Sequence, residues 1–194
     1  MFLINFLTAT VVGGFYLFLI VYIANMVPVG ASSYFRKRGW PNGPIWKSLF
    51  GENKTWVGTG SGLLAAMVTA FAENGLNAWF DIPKYLHMES IYALPWPLLG
   101  LAMGGGALVV GDMMKSVVKR HVAHIKPGGI WKPWDDLDFG LGTTAVLILL
   151  LVTGFIELTW NLPLAVLSGV LIGFYFNPKV NKWSHRRGIK AVGH

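Results

Sequence analysis

The chain has 194 residues, 54% of them apolar and only 13% charged, against roughly 25% charged in soluble domains, which excludes an ordinary soluble enzyme. It contains no cysteine, so disulfides and thiolate metal sites are excluded and any metal has to be held by oxygen or imidazole. Sixteen Lys and Arg against nine Asp and Glu give a net charge of +7, and without an aromatic-basic binding module this excess does not point to nucleic acid.

Five apolar stretches follow one another at about residues 3–27, 57–75, 91–111, 139–157 and 162–177. Each approaches the length of about 20 residues that carries a helix across a bilayer. They predict an all-α integral membrane protein of five transmembrane helices, with residues 1–194 forming one membrane domain. The first stretch, "MFLINFLTATVVGGFYLFLIVYIANMV", lacks a basic leader and exceeds a signal-peptide core, so it reads as a membrane helix and not a cleaved signal. Five buried helices of a soluble protein are the other reading, and they would leave little surface to be wetted. The second stretch is the weakest, because its apolar part ends at Ala72 before Glu73, Asn74, Gly75 and Asn77; a short, tilted or internally packed helix is expected. "ELTWN" joins the fourth and fifth stretches as a tight hairpin, with Pro163 in the first turn of the fifth helix and Trp160 at the membrane surface.

The cations orient this bundle. All of the sixteen except Lys84 fall in the loops at 28–56 and 112–138 or in the tail. By the positive-inside rule those loops and the C-terminus are cytoplasmic and the N-terminus is outside, in the cell membrane. Gly100 and Gly104, and Gly169 and Gly173, have the small-xxx-small spacing of close helix contacts, or shape a groove for acyl or isoprenoid chains.

Topology explains the basic residues but not the acidic ones among them. If the third helix continues beyond Gly111, Asp112, Ser116, Lys119 and Arg120 share an arc of about 100° on one face, with Lys115 at its margin. A carboxylate, a hydroxyl and two or three cations on one face are what a metal ion and several phosphates need. An amphipathic juxtamembrane helix that satisfies itself is the plain alternative. Gly128 and Gly129 then allow a tight loop or a close backbone approach to a ligand. Asp135 and Asp138, three apart at the start of the fourth helix, supply oxygen ligands suited to Mg²⁺; helix capping accounts for one such Asp but not for the cluster. In the first loop Asn53, Lys54 and Thr55 offer amide, ammonium and hydroxyl groups at a helix mouth, where unpaired N–H groups favour anions; a turn with an N-cap is the plain reading.

The segments "YIANMVP" (22–28), "GENKTWVG" (51–58), "GDMMKSVVKR" (111–120), "IKPGG" (125–129), "DDLDF" (135–139) and "NPKVN" (177–181) together resemble the CDP-archaeol synthase family over nearly the whole chain. The central block also resembles the broader CDP-diacylglycerol synthase signature, a Ser-x-x-Lys-Arg helix followed by a Gly-Gly loop and an Asp-x-x-Asp pair. The resemblance implies an integral-membrane cytidylyltransferase that condenses CTP with a phosphorylated membrane lipid, using Mg²⁺, to give a CDP-lipid and pyrophosphate. It implies catalytic roles for Asp112, Lys119, Arg120, Asp135 and Asp138, with Asp135, Asp138 and Asp112 on the metal. Substrate contacts fall to Asn53, Lys54, Thr55, Ser116, Gly128 and Gly129. Asp136 and His121 depart from the family pattern, as does Val57, where Arg is frequent. The expected partners are CTP, the lipid phosphate and the bilayer, with room for a homo-oligomer. A phosphatidyltransferase lacks its usual Asp-Gly-x-x-Ala-Arg pattern here, and a transporter or scaffold is expected to keep its polar residues near the midplane, yet both classes stay open.

Overall fold

The computed structural model describes residues 2–125, 129 and 131–187. Among them the chain is helical throughout, without a sheet; one isolated antiparallel bridge joins Pro44 and Thr55. Helix α1 (Phe2–Lys37) is followed by the short α2 (Lys47–Phe50), then α3 (Trp56–Phe80), two single turns α4 (Ile82–Tyr85) and α5 (Glu89–Tyr92), and α6 (Trp96–Gly105). A π-helical stretch, Gly106–Met113, continues α6 into α7 (Met114–His121); α8 (Trp134–Val152) and α9 (Leu162–Arg186) complete the bundle. Three of these rods, Leu3–Lys37, Trp96–His121 and Leu162–Arg186, are long and apolar enough to cross a membrane. Helix α3 interrupts its apolar residues with Gly58, Gly60, Ser61 and Gly62, and α8 opens on three aspartates.

The apolar stretches become helices, but several run further than expected. Helix α1 continues ten residues past Val27 and straight through Pro28, although an interior proline removes one helical hydrogen bond and crowds the preceding turn. Packing overrides that cost: Gly62 of α3 leaves just enough space for the Pro28 ring and the Ala24 carbonyl, and Gly58 faces Ser32 and Pro28. Gly39, at φ +67°, closes α1 in the left-handed conformation, so that the Trp40 N–H returns to the Phe35 carbonyl at 3.0 Å. At the other end of the chain α9 likewise passes through Pro178 to Arg186.

Helix α1 is the central post, with its Leu17, Phe18, Ile20, Val21 and Ala24 buried against α3 on one side and α9 on the other. The contacts are made by glycine. Gly14 meets the Ala165 carbonyl and Ser168 of α9, Gly169 meets Phe18, and Gly100 of α6 lies against the Met67 backbone of α3. The small-xxx-small pairs therefore do pack helices closely. Leu3, Leu7, Val11, Leu64, Val68, Phe71, Ile148, Leu149, Leu167 and Leu171 point outward and are exposed, an arrangement that suits lipid and not water. At the end remote from α7, the buried Asn161 ties three segments together: it donates to the carbonyls of Ala9 (3.1 Å) and Leu86 (2.6 Å) and accepts from Thr10 (3.1 Å). Pro163 sits in the first turn of α9, as expected, and Trp160 stacks on Phe6; the connection is longer than the expected five residues, because α8 ends at Val152 and not at 157.

The third apolar stretch differs most from a uniform helix. Its π-helical part rests on α8 backbone to backbone, Gly106 against Gly142 and Thr143, and Gly111 against Asp138 and Phe139. Such bulges widen a helix by one residue per turn and are frequent at functional sites. Here it brings the start of α7 alongside the first turn of α8.

Candidate active site

Three pieces meet at this end of the bundle: the loop before α3, the π stretch with α7, and the first turn of α8. Thr55 caps α3 by accepting from the Gly58 N–H at 3.1 Å, and the Ile45 N–H bonds to the Lys54 carbonyl at 2.8 Å. The loop is fixed on both sides of Lys54, whose ammonium reaches Asp112. Ser116 is buried and donates to the Asp112 carbonyl at 2.8 Å, one helical turn back. Asn53 is exposed at the rim.

From α7, Lys119 donates to both carboxylate oxygens of Asp135, each at 2.9 Å. Lys115 stands between the helices, paired with Asp138 and lying 3.3 Å from Asp135 and 3.5 Å from Asp112. Three aspartates and three lysines thus form one half-buried network. Removing the cation from a buried pair leaves an uncompensated charge at a cost of about 3–5 kcal/mol, the scale expected for loss of the shared Lys115. Arg120 turns to the other side of α7 and packs on Gly51, where a Cβ would overlap its guanidinium; Gly51 has φ +85°, which only glycine adopts without strain. Among the described residues no carboxylate pairs with Arg120.

The two aspartates of α8, both ahead of the apolar run that begins at Phe139, differ in electrostatics. Burial raises the Asp135 carboxyl, but hydrogen bonds from Lys119 and the Trp131 N–H (2.5 Å), with the Lys115 charge, outweigh it and hold the group below the usual carboxylate range. Asp138 has a side chain 1% exposed. Burial, and next the neighbouring Asp112, push its carboxyl up to about 6 against the pull of Lys115 and the Phe139 N–H.

Asp136 leaves the network. It faces Lys132 at 3.8 Å and, with Phe139 and Gly140, lines a groove of about 460 Å³ between α1, α8 and α9. The groove wall is apolar, with Phe18, Val21 and Val170 along it, and its floor is cut by Gly169 and Gly173. Its mouth carries Asn25, Asn177, Asn181 and Ser184, with Asn25 donating to Asn177 at 3.3 Å. One turn of α8 therefore turns Asp135 and Asp138 to the charged network and Asp136 and Phe139 to an apolar slot.

The donor chemistry suits a divalent cation. Asp112, Asp135 and Asp138 are hard oxygen donors within 3.5 Å of one point, and that point already holds a cation, the Lys115 ammonium. Among the described residues no three acidic or histidine side chains form a ready-made metal cage. Mg²⁺ asks for less, one or two carboxylates with water and substrate phosphates.

Of the residues singled out from sequence, the structure brings together Lys54, Asp112, Ser116, Lys119, Asp135 and Asp138, and places Arg120, Asn53 and Thr55 around them. Gly129 lies half-buried ahead of α8, and Gly128 falls outside the described residues. Two features went unread. Lys115 is the hub of the network and not its margin, and the polar mouth of the groove unites Asn25 with Asn177 and Asn181, whose i,i+4 spacing in "NPKVN" was the available signal.

Fold and site define an all-helical membrane protein with a charged network at one end of its bundle and an apolar slot beside it. The chain is 30% identical over 179 residues to the CDP-archaeol synthase of Saccharolobus islandicus, covering 90% of this chain and 93% of the relative; it is 29% identical over 144 residues to that of Staphylothermus marinus (74% and 70%) and 27% over 159 residues to that of Methanosphaerula palustris (80% and 85%). The chain belongs to the CDP-archaeol synthase family, a family of membrane-lipid-synthesising enzymes. No protein-family model and no solved structure matches it.

Proposed function

We propose that the protein is a Mg²⁺-dependent cytidylyltransferase that condenses CTP with an archaeal ether-lipid phosphate, giving a CDP-lipid and pyrophosphate. The observation that carries this reading is the single turn of α8 that belongs both to the charged network, through Asp135 and Asp138, and to the apolar groove, through Asp136 and Phe139. A polyanionic nucleotide and the head of a lipid have to meet at one place, and this turn lies between a site for each. The names of the relatives favour an archaeol-type acceptor over a phosphatidate-like one.

In the reaction an oxygen of the lipid phosphate attacks the α-phosphorus of CTP, forming a new P–O bond. The bond from that phosphorus to the bridging oxygen breaks, and pyrophosphate leaves with the electron pair. The attacking oxygen is already ionised at neutral pH, so no strong base is required; repulsion between two anions is the main barrier. Lys54, Lys119 and Arg120 lower it by neutralising phosphate charge, and the fork of Arg120, unpaired with any carboxylate among the described residues, suits bidentate contact. Asn53 and the N–H groups at the α3 mouth, fixed by the Thr55 cap, receive phosphate oxygens. Asp135 and Asp138, with Asp112, would hold Mg²⁺, which supplies charge screening across the phosphates when bound. Ser116 steadies Asp112 through its backbone, and Gly129, ahead of α8, lets the chain approach the nucleotide closely. Catalysis is then mostly positioning and charge.

Five helices, α1, α3, the α6–α7 rod, α8 and α9, cross the cell membrane in this reading. The network faces the cytoplasm and the N-terminus lies outside. The test is pyrophosphate release by the purified protein with Mg²⁺ and CTP, run in parallel on archaetidic-type ether-lipid phosphate, phosphatidic acid and an isoprenoid phosphate. Release that requires the ether-lipid phosphate is expected. Release with none of the three overturns the reading.

A further inference from the structure

Lys54 and Lys119 each serve one carboxylate, whereas Lys115 touches Asp112, Asp135 and Asp138 together. Asp138 has no other cation partner among the described residues, and its second oxygen accepts the Phe139 N–H at 2.8 Å. The Lys115 ammonium is also only partly accessible, with a side chain 16% exposed. It stands where a divalent ion would have to sit to share these carboxylates, and two like charges cannot occupy one half-buried position.

We propose that Lys115 is the resident counter-ion of the three-carboxylate cluster and is displaced from it when a divalent cation enters. The proposal rests on the metal reading of Asp112, Asp135 and Asp138 given above. The aspartates are short and held by backbone N–H groups or by Lys54 and Lys119, so they stay in place. Lys115 has a flexible four-carbon stem whose rotation carries its charge several ångströms without moving α7. Without it the cluster would hold three negative charges against two positive ones. With both it and a divalent ion the balance would be strongly positive until phosphates arrive. Two consequences follow: the bare protein binds divalent metal weakly, and metal enters together with the nucleotide, whose polyphosphate accepts the displaced ammonium. Lys115 is in this account a positioning residue that sets the order of loading.

Binding of Mn²⁺ without nucleotide separates this role from a structural one. The full-length protein in detergent or nanodiscs is titrated with Mn²⁺, and free ion is read by electron paramagnetic resonance, alongside the shift in Tm on adding metal. Lys115→Met, which keeps the length and removes the charge, is expected to bind Mn²⁺ about tenfold or more tightly than the unmodified protein, the usual effect of removing one opposing charge at this range. Its Tm without metal should fall, and Mn²⁺ should restore it. Lys115→Arg, which keeps the charge, should bind as weakly as the unmodified protein. Lys115→Gln replaces the Met variant in the same titration if that variant does not fold. Asp138→Asn serves as the site control. Equal or weaker binding by the uncharged variants, still abolished by Asp138→Asn, overturns the displacement and leaves the metal reading standing. Absence of any Asp138-dependent binding in all of these proteins overturns both.

Discussion

At the scale of single residues, the two aspartates of α8 occupy opposite electrostatic situations, and the difference predicts opposite effects of the same substitution. The folded protein raises the Asp138 carboxyl to about 6, above its ordinary range, so at pH 8 without metal its ionised form opposes folding. Asp138→Asn should therefore leave the metal-free Tm at pH 8 unchanged or higher while lowering turnover by about a hundredfold or more, the scale of losing a preorganised charge contact. Asp135 is held below its ordinary range, so its ionised form supports folding above the unfolded-state value and that support fades only as pH falls through the lowered one. Asp135→Asn should lower both Tm and turnover. Paired melting curves and pyrophosphate-release rates check this, and the assignment fails if Asp138→Asn melts well below Asp135→Asn. The carboxylates themselves were legible in the sequence because acid among so much base needs a reason. Lys115 was not. An ideal helix puts it beside the Asp112 face, and only the neighbours, α8 on one side and Gly51 on the other, decide that both flanks of α7 are used.

At the scale of elements, the active arrangement depends on how closely α8 lies on the π stretch. A Cβ at Gly142 would overlap the Gly106 carbonyl and the Gly111 backbone, and backbone cannot move aside as a side-chain tip can. Gly142→Ala should push the two helices apart, at a cost of about 1–3 kcal/mol for overpacking, and should separate Asp138 from Lys115 so that turnover falls more than stability does. Gly105, whose Cβ would meet nothing within 4 Å, is the control; Gly105→Ala should be neutral or mildly stabilising, by up to about 1 kcal/mol of helix propensity. Thermal denaturation and turnover of the two variants read the contrast directly. The helices were legible from apolar run length, because a bilayer-spanning rod has few other ways to be built. Their ends were not. Pro28 and Pro178 signal exits, yet both helices run on through them, α1 against Gly58 and Gly62 of α3, and the π stretch rests on Gly142 of α8, a helix far along the chain.

At the scale of the whole molecule, the basic residues and the groove together set the direction from which each substrate comes. With Arg36, Lys37, Lys119 and Arg186 at one end of the long helices, a reporter fused to the C-terminus should be active only in the cytoplasm, and an external signal would reverse the proposed topology. In the proposed function CTP enters from the aqueous side of the charged network and the lipid from the bilayer, along the slot between α1, α8 and α9. Filling the slot should therefore affect one substrate and spare the other. Gly173 lies on its floor, where a Cβ would already stand 3.2 Å from the Tyr22 ring. Gly173→Phe places a ring in the space offered to the lipid chain, whose lining includes none of Lys54, Lys119 and Asp135. Excluding two methylenes from apolar contact, at about 0.8 kcal/mol each, corresponds to a rise of about tenfold in KM for the lipid phosphate. The KM for CTP should stay near that of the unmodified protein, because none of the cations that would receive its phosphates has moved. Initial rates with each substrate varied at saturating levels of the other separate the two constants. An equal rise in both would mean that the ring has displaced α9 and with it the site; no change in either would mean that the lipid does not use this groove.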